Sequence, residues 1–352
     1  MKVSNHAEEC TMQPMPVGID IAKHIIQVHY VDDQTGEVVN KPLKRDRFLA
    51  YFANRPSCLI GMEACGGAHH WARQLLGMGH QVKLMPGAYV KAFNLPHKND
   101  MADAQAIWRA VQQPSRAVAV KSETQQAMLA LHRIRSQLLK CKQMQGNALR
   151  GLIAEYGEII GKGQAALNRR LPEILILLSE RLPGALIDSL REQWHELDRL
   201  EERVVTIERR IRELSRADEA VKALVAIPGV GLLTATATAA VAAMGDPRAF
   251  SSGREFAAWA GLVPRQTGTG GKITLQGISK QGDRYLRKLF INGAHSVIQN
   301  AKDPGPWVRE LQKRRPLNVA VVALANKMAR TIWAVLAHDR PYQCPWTAVS
   351  AP

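Results

Sequence analysis

The stretch MPVGIDIAKHIIQVHYV, Met15 to Val31, is apolar and strand-like, and it carries one carboxylate, Asp20, in its middle. A lone charge in a buried strand is costly to desolvate, so Asp20 must be exposed, paired or holding a cation. Working outward, the turn DDQTGE leads into a third strand ending near Leu43, which makes a meander rich in valine and isoleucine. A helical segment RDRFLAYFANR, an apolar run SCLIGMEA, a helix GAHHWARQLLGMG ending at glycine and a strand QVKLMP follow, with helices from Tyr89 onward. Three strands followed by alternating helices and strands predict an α/β domain, a mixed sheet with helices on its faces.

Length and composition set the frame. At 352 residues and 46% hydrophobic content the chain can build two or three cores. No uninterrupted apolar run approaches the roughly 20 residues of a membrane span, and the amino-terminal MKVSNHAEECTMQP is too polar for a signal peptide. A cytoplasmic protein that does not use a membrane is expected. Its cysteines, Cys10, Cys58, Cys65, Cys141 and Cys344, lack CxxC spacing, which suits a reducing compartment and argues against a zinc site. The formal net charge of +16 points to a polyanionic partner, since basic side chains gain affinity by displacing the counterions of nucleic acid. A well-solvated basic surface is the plainer reading, and an acidic membrane surface stays open.

From Ser122, an N-cap residue type, a long helical pattern without proline runs to about Tyr156. After a looser stretch with Pro172 and Pro183 a second runs from Leu186 to Leu214. Its Leu197, Leu200, Val204, Ile207, Ile211 and Leu214 alternate three and four apart, the seam of a coiled coil. The two helices can pack as an antiparallel stalk or against a second subunit; the length of the seam favours a homodimer or homotetramer. Residues 1–15 are expected as a disordered tail, 16–121 as the α/β domain, 122–217 as the stalk, 218–340 as a mainly helical domain and 341–352 as a tail. No period of 20 to 50 residues repeats, which excludes a solenoid.

The acids form the first candidate site. Glu63 ends the run LIGME as Asp20 interrupts the first strand, so a sheet placing the two strands side by side brings both to one edge. HKNDMADAQAIWRA puts Asp100 and Asp103 on one face at the start of a helix. Taken singly, each acid has a structural explanation: a turn cap, a solvated strand end, a favoured place beside a helix dipole. Together they are what a two-cation phosphoryl-transfer site needs, oxygen ligands for hard Mg²⁺ ions. Mn²⁺ is the alternative metal.

The second candidate site is carboxy-terminal. LVAIPGVGLLTATATAAV, Leu224 to Val241, has the form of a helix-hairpin-helix, with Gly229 and Gly231 at a turn whose amides can meet a phosphate. An ordinary turn between packed helices is the alternative. Further on, GLVPRQTGTGGK and GISKQGDRYLR combine glycines with Thr267, Thr269, Thr274 and Ser279 and with Arg265, Lys272, Lys280, Arg284, Arg287 and Lys288. Such a glycine-rich loop can wrap a phosphate, with lysine and arginine neutralising charge. The stretch QKRRP adds Lys313, Arg314 and Arg315.

The order of GID, ME and an aspartate pair on a later helix resembles the RNase H-like domain of RuvC-type nucleases. The actin-like ATPase fold also starts with an aspartate on a hairpin, but GIDIAKH lacks the second glycine and hydroxyl expected there for ATP phosphates. Across nearly the whole chain, GIDIAK, MEACGG, KNDMADA, IPGVG and FAAWAGLVPRQ…GGK…ISKQGDRYLR resemble the DEDD insertion-sequence transposases, the bridge-RNA-guided recombinases of bacterial insertion elements. The resemblance implies an RNase H-like domain with Asp20, Glu63, Asp100 and Asp103 as metal ligands, a coiled coil for oligomerisation, and a second domain supplying a hydroxyl nucleophile. It further implies a covalent protein–DNA intermediate and a structured guide RNA that pairs with donor and target DNA, so that base pairing reads sequence. The family serine has no counterpart between Ser252 and Ser279. Thr269, before Gly270 and Gly271, is the best match; Thr267 is second and Ser279 third. The competing functions are a RuvC-like structure-specific nuclease and a non-catalytic nucleic-acid-binding protein.

Overall fold

The computed structural model describes residues 14–94, 100–114, 117–242 and 250–343. Its chain divides into two compact units, one ending at Ser122 and the other beginning at Glu123. The first unit is built on β1 (Met15–Ile21), β2 (Ile25–Val31) and β3 (Val38–Lys44), the predicted meander, with β4 (Cys58–Glu63) and β5 (Gln81–Met85) added in parallel to β1. The strand order is β3-β2-β1-β4-β5. Val17 and Ile19 of β1 and Ile60 and Met62 of β4 point to one face, where α1 (Arg45–Ala53) and α2 (Ala68–Gly77) cover them with Phe48, Phe52, Trp71 and Leu75. Burying each of these large side chains is worth roughly 1.5–3 kcal/mol. The chain leaves α2 through Gly79, whose φ of 88° is the left-handed conformation that glycine adopts freely.

The other face is set by glycines. Gly18 and Gly61 alternate with the buried strand residues, and α4 (Asp100–Val111) lies directly on them. A Cβ on Gly18 would stand 2.3 Å from the Ala104 carbonyl oxygen, and one on Gly61 2.7 Å from Val111 Cβ. Only a strand without side chains there lets the helix come so close. Ala106, Ile107, Ala110 and Val111 close this side with Met85 and Val90, the last from α3 (Gly87–Val90), which a 3₁₀ turn at Lys91–Phe93 extends.

The second unit begins with α5 (Glu123–Ala154) and α7 (Gly184–Leu214), long helices that run antiparallel. Arg135 meets Glu208 at 2.7 Å, Lys142 pairs with Glu201, and Gln145 reaches Gln193 at 2.9 Å, so positions rise on one helix as they fall on the other. The predicted seam is real but is covered from within the chain: Leu200, Val204, Ile207 and Ile211 are buried with Met128 and Leu138. Leu197 belongs to a further cluster with α6 (Gln164–Ser179). The seam therefore offers no ground of its own for a second subunit, and Leu214, its last member, is 45% exposed. The stretch read as loose is that helix, α6, which carries Pro172 within it.

The stalk and the carboxy-terminal helices form one unit rather than two. α8 (Glu219–Val225), α9 (Leu232–Ala242), α10 (Gly253–Trp259), α11 (Arg284–Asn300), α12 (Pro306–Arg314) and α13 (Leu317–His338) follow in order. Asp218, Ser252 and Asp283 cap α8, α10 and α11 by accepting the amides of Val221, Glu255 and Leu286. Among the described residues α13 alone has the length and composition to cross a membrane. Here Ala320, Ala325, Ala329 and Ile332 are fully buried, as in a core helix. Of the expected tails, residues 1–13 and 344–352 lie outside the described residues, with Cys10 and Cys344 among them; Met15 already belongs to β1.

Candidate active site

Asp20, the penultimate residue of β1, and Glu63, the last of β4, sit at the same end of neighbouring parallel strands. Ile19 is paired with Met62, so the two acids occupy the next position of the register, on the face of Gly18 and Gly61. The close seat of α4 then decides where its first turn falls: Ala104 and Trp108 lie over Gly18, and Asp100 and Asp103, one turn earlier, come toward Asp20. The charges register one another. Burial first, then Asp103, Asp100 and Glu63, push the Asp20 carboxyl up to about 6. Asp103 also accepts a hydrogen bond from Asn94 Nδ2 at 3.1 Å. Gly87 leaves room for Glu63, whose Oε1 would lie 2.6 Å from a Cβ there.

None of the four acids makes an ion pair with a described residue. Uncompensated carboxylates that repel one another, all offering oxygen, fit a hard divalent cation. Among the described residues no three acids, cysteines or histidines are already drawn into a cage that could hold a metal.

The hydroxyl candidates lie in the second unit. The segment read as a glycine-rich loop is an antiparallel hairpin of β6 (Pro264–Thr269) and β7 (Lys272–Ile278), both almost wholly exposed. Gly270 and Gly271, at φ 58° and 83°, form its two-residue turn, whose left-handed central positions match the twist of the strands. Thr269 pairs with Lys272 and Thr267 with Thr274. These four share one face, while Gly268 and Ile273 belong to the other. Gln276 Nε2 lies 3.4 Å from Thr267 Oγ1. A Gly-Gly turn between short strands was the signal in the sequence for this ribbon. Ser279 differs: its Oγ is buried without a hydrogen-bond partner, and its amide donates to the Val263 carbonyl at 2.8 Å. Its hydroxyl is thus turned inward, unlike those of Thr267 and Thr269 on the exposed ribbon.

Residues 17–158 match a family model for DEDD transposases of the IS110 type, and residues 221–311 one described as the transposase IS116/IS110/IS902 family. A probable family 20 transposase of Pseudomonas aeruginosa is 44% identical over 93% of this chain and 98% of its own length. The chain belongs to the IS110/IS116 family of insertion-sequence transposases. The transposases of IS1328 from Yersinia enterocolitica and of IS1111A from Coxiella burnetii are each 36% identical, over 91% and 93% of this chain and 96% and 91% of theirs.

The basic residues of this transposase divide on inspection. Arg265, Lys272, Lys280 and Arg284 are exposed, as are Lys313, Arg314 and Arg315 at the end of α12, where Lys313 pairs with Glu310 at 2.7 Å. Arg287 is different. Its guanidinium is buried and donates to the Ala260 and Gln281 carbonyls, so it braces the base of the ribbon instead of meeting a phosphate. The backbone is tight there, since a Cβ on Gly282 would lie 1.9 Å from the Trp259 carbonyl oxygen. Gly229 also has a packing reason, with φ 83° and a Cβ position 2.6 Å from Met328 Cε. A Cβ on Gly231 would meet nothing within 4 Å, so packing does not require a glycine there.

Proposed function

We propose that the transposase cuts and rejoins DNA by attack of a threonine hydroxyl, in the presence of Mg²⁺ or Mn²⁺ held by Asp20, Glu63, Asp100 and Asp103. The observation that carries this is the convergence of the four acids with no ion pair to a described residue. The strand order β3-β2-β1-β4-β5, with its antiparallel meander and parallel additions, supports an RNase H-like reading of the first unit. When bound, the metal supplies electrostatic stabilisation of the phosphoryl oxygens and lowers the pKa of an attacking hydroxyl.

The chain's own part is positioning. Thr269, at the tip of the ribbon, presents Oγ1 beside Lys272 and between glycines, so a phosphodiester can approach without a steric wall. Oγ1 forms a bond to phosphorus and gives up its proton to a base. The bond from phosphorus to one deoxyribose oxygen breaks, and that oxygen takes a proton as the free strand end. The phosphodiester energy is kept in the protein–DNA bond, and a second strand end reverses the step. Thr267 is the reserve nucleophile. The turn at Gly229 and Gly231 between α8 and α9 is read as a helix-hairpin-helix, and a guide RNA and a homodimer or homotetramer complete the assembly.

Asp20→Asn and Glu63→Gln should each lower cleavage of element-end DNA by about 10³-fold while the circular dichroism spectrum is kept. Full activity in both would overturn the metal site. Mass spectrometry of the digest from a nicked suicide substrate should show a nucleotide on Thr269, lost in Thr269→Ala and kept in Thr269→Ser. Cleavage without any adduct would favour water as nucleophile and a RuvC-like nuclease.

A further inference from the structure

A cavity of about 660 Å³ lies where α5, α7, the turn before α9 and α11 meet. It is lined by Arg135 and Lys140 of α5, Arg212 of α7 and Lys288 of α11, with Gly231 on the wall toward α9. The only carboxylate in its lining is Glu208, which Arg135 engages at 2.7 Å. Lys140, Arg212 and Lys288 have no ionic partner among the described residues. Three unpaired cations from three separate helices thus face one space. Such convergence costs self-repulsion in the free protein and turns favourable only when an anion enters.

We propose that this cavity is a docking site for the phosphodiester backbone of a nucleic acid, clamped between the stalk and the carboxy-terminal helices of the second unit. The proposal rests on the reading of the chain as a protein that handles nucleic acid, and it assigns residues outside the acids and the ribbon. Two of the three free cations are lysines, point charges on flexible stems that hold a phosphate without fixing its orientation. The one aromatic ring in the lining, Tyr285, is committed to a hydrogen bond with His132 Nδ1 at 2.9 Å and is not free to stack on a base. Contacts of these cations with phosphates would set the register of a strand without reading its sequence.

The test compares the full-length protein with Lys140→Ala/Arg212→Ala/Lys288→Ala, using a labelled 20-base-pair DNA duplex and a labelled RNA hairpin as probes. Dissociation constants are measured from 50 to 200 mM NaCl. If all three side chains meet duplex phosphates, the wild-type affinity falls about 40-fold more steeply over this range than that of the triple variant. For single-stranded segments the slope per contact is about 0.7 instead of 0.9. A slope change on the DNA probe, the RNA probe or both supports the proposal and names the source of the phosphate. Lys140→Arg/Lys288→Arg should keep the wild-type slope and melting temperature, which excludes a merely structural effect. A steep wild-type profile left unchanged by the triple variant overturns the cavity and leaves nucleic-acid binding standing. A flat wild-type profile overturns both.

Discussion

The acids and the hydroxyls of this transposase are held in opposite ways. Asp20 and Glu63 sit at the same end of two central strands whose other face is buried, and α4 is pressed onto Gly18 and Gly61 beside them. Thr267 and Thr269 ride on a two-stranded ribbon whose residues are nearly all exposed. A metal site such as the one proposed tolerates little misplacement of its ligands, and a packed sheet edge suits it. An isolated two-stranded hairpin is marginal by itself, so the ribbon can adapt to the nucleic acid it meets. The difference predicts where substitutions hurt.

The largest effect is expected at Gly18. In Gly18→Val the new side chain would meet the α4 backbone, 2.3 Å from the Ala104 carbonyl oxygen at its Cβ alone. Either α4 lifts or the strand shifts, with a loss of about 4 kcal/mol or failure to fold. Chemical denaturation of purified protein measures it, and a loss below about 1 kcal/mol would mean α4 is not tightly seated.

Arg287 comes next and separates a brace from a phosphate contact. Arg287→Ala leaves the Ala260 and Gln281 carbonyls without their donor and should cost about 3 kcal/mol. Its salt dependence of DNA binding should equal that of the wild type, whereas Lys272→Ala, on the exposed ribbon, should reduce the slope at unchanged stability.

These contrasts also explain what could be read from the sequence. The meander, the β4 edge and the acid pair on α4 were legible because a strand-like apolar run and an i,i+3 pair are local signals, whereas the seat of α4 on Gly18 and Gly61 was not. The stalk helices were legible as helices, but periodicity does not say what covers a seam, and α5 covers α7 from within the chain. The ribbon reads as a loop because Thr and Gly dominate PRQTGTGGKITLQGI and it buries no apolar face, although its Gly-Gly turn is a signal for it. Arg287 and the Ser279 hydroxyl turn inward, which the composition of their segment does not reveal. Composition identifies a basic or hydroxylated segment, and only the backbone path decides which side chains turn inward.

His132 tests the packing of the second unit through pH. It is buried between α9 and α11, with Nδ1 2.9 Å from Tyr285 Oη and Nε2 3.0 Å from Thr236 Oγ1. Burial, and then Arg135, lower its pKa to about 4. The unfolded chain takes up the proton near pH 6.5 and the folded chain only near 4, so stability is complete above pH 6.5 and drains away as pH falls toward 4. At pH 5 the loss should be about 2 kcal/mol. Melting curves of wild type and His132→Asn should differ in this window, and parallel pH profiles would refute the assignment.

Asp20 should show the reverse sign, at smaller size. Its folded pKa of about 6 lies above the ordinary carboxylate value, so the folded metal-free protein holds the proton longer than the unfolded chain does. Stability then falls as pH rises from about 4 to about 6 and stays reduced above. Asp20→Asn removes that penalty and should raise stability at pH 7.5 in EDTA by about 1 kcal/mol, allowing for solvent screening at a half-buried site. On the proposed metal site, Mg²⁺ should stabilise the wild type and not this variant, since ligand binding adds to folding free energy. An unchanged response to Mg²⁺ would break the link between the acid edge and a metal.

The smallest effect should come from the apolar face of the ribbon. Ile273 is 69% exposed and Leu275 63% exposed, so neither contributes much buried area to the folded chain. Ile273→Thr keeps β-branching and strand preference while removing apolar surface, and should change stability by less than about 0.5 kcal/mol. Gly18→Val and Ile273→Thr thus bracket the comparison: the first disrupts a face that is packed, the second alters one that is bare. A loss of 2 kcal/mol or more in Ile273→Thr, read by denaturation at several protein concentrations, would show that the ribbon is packed after all. If that loss shrank on dilution, the cover would be a second copy of the chain, since an intermolecular contact contributes less as the protein is diluted.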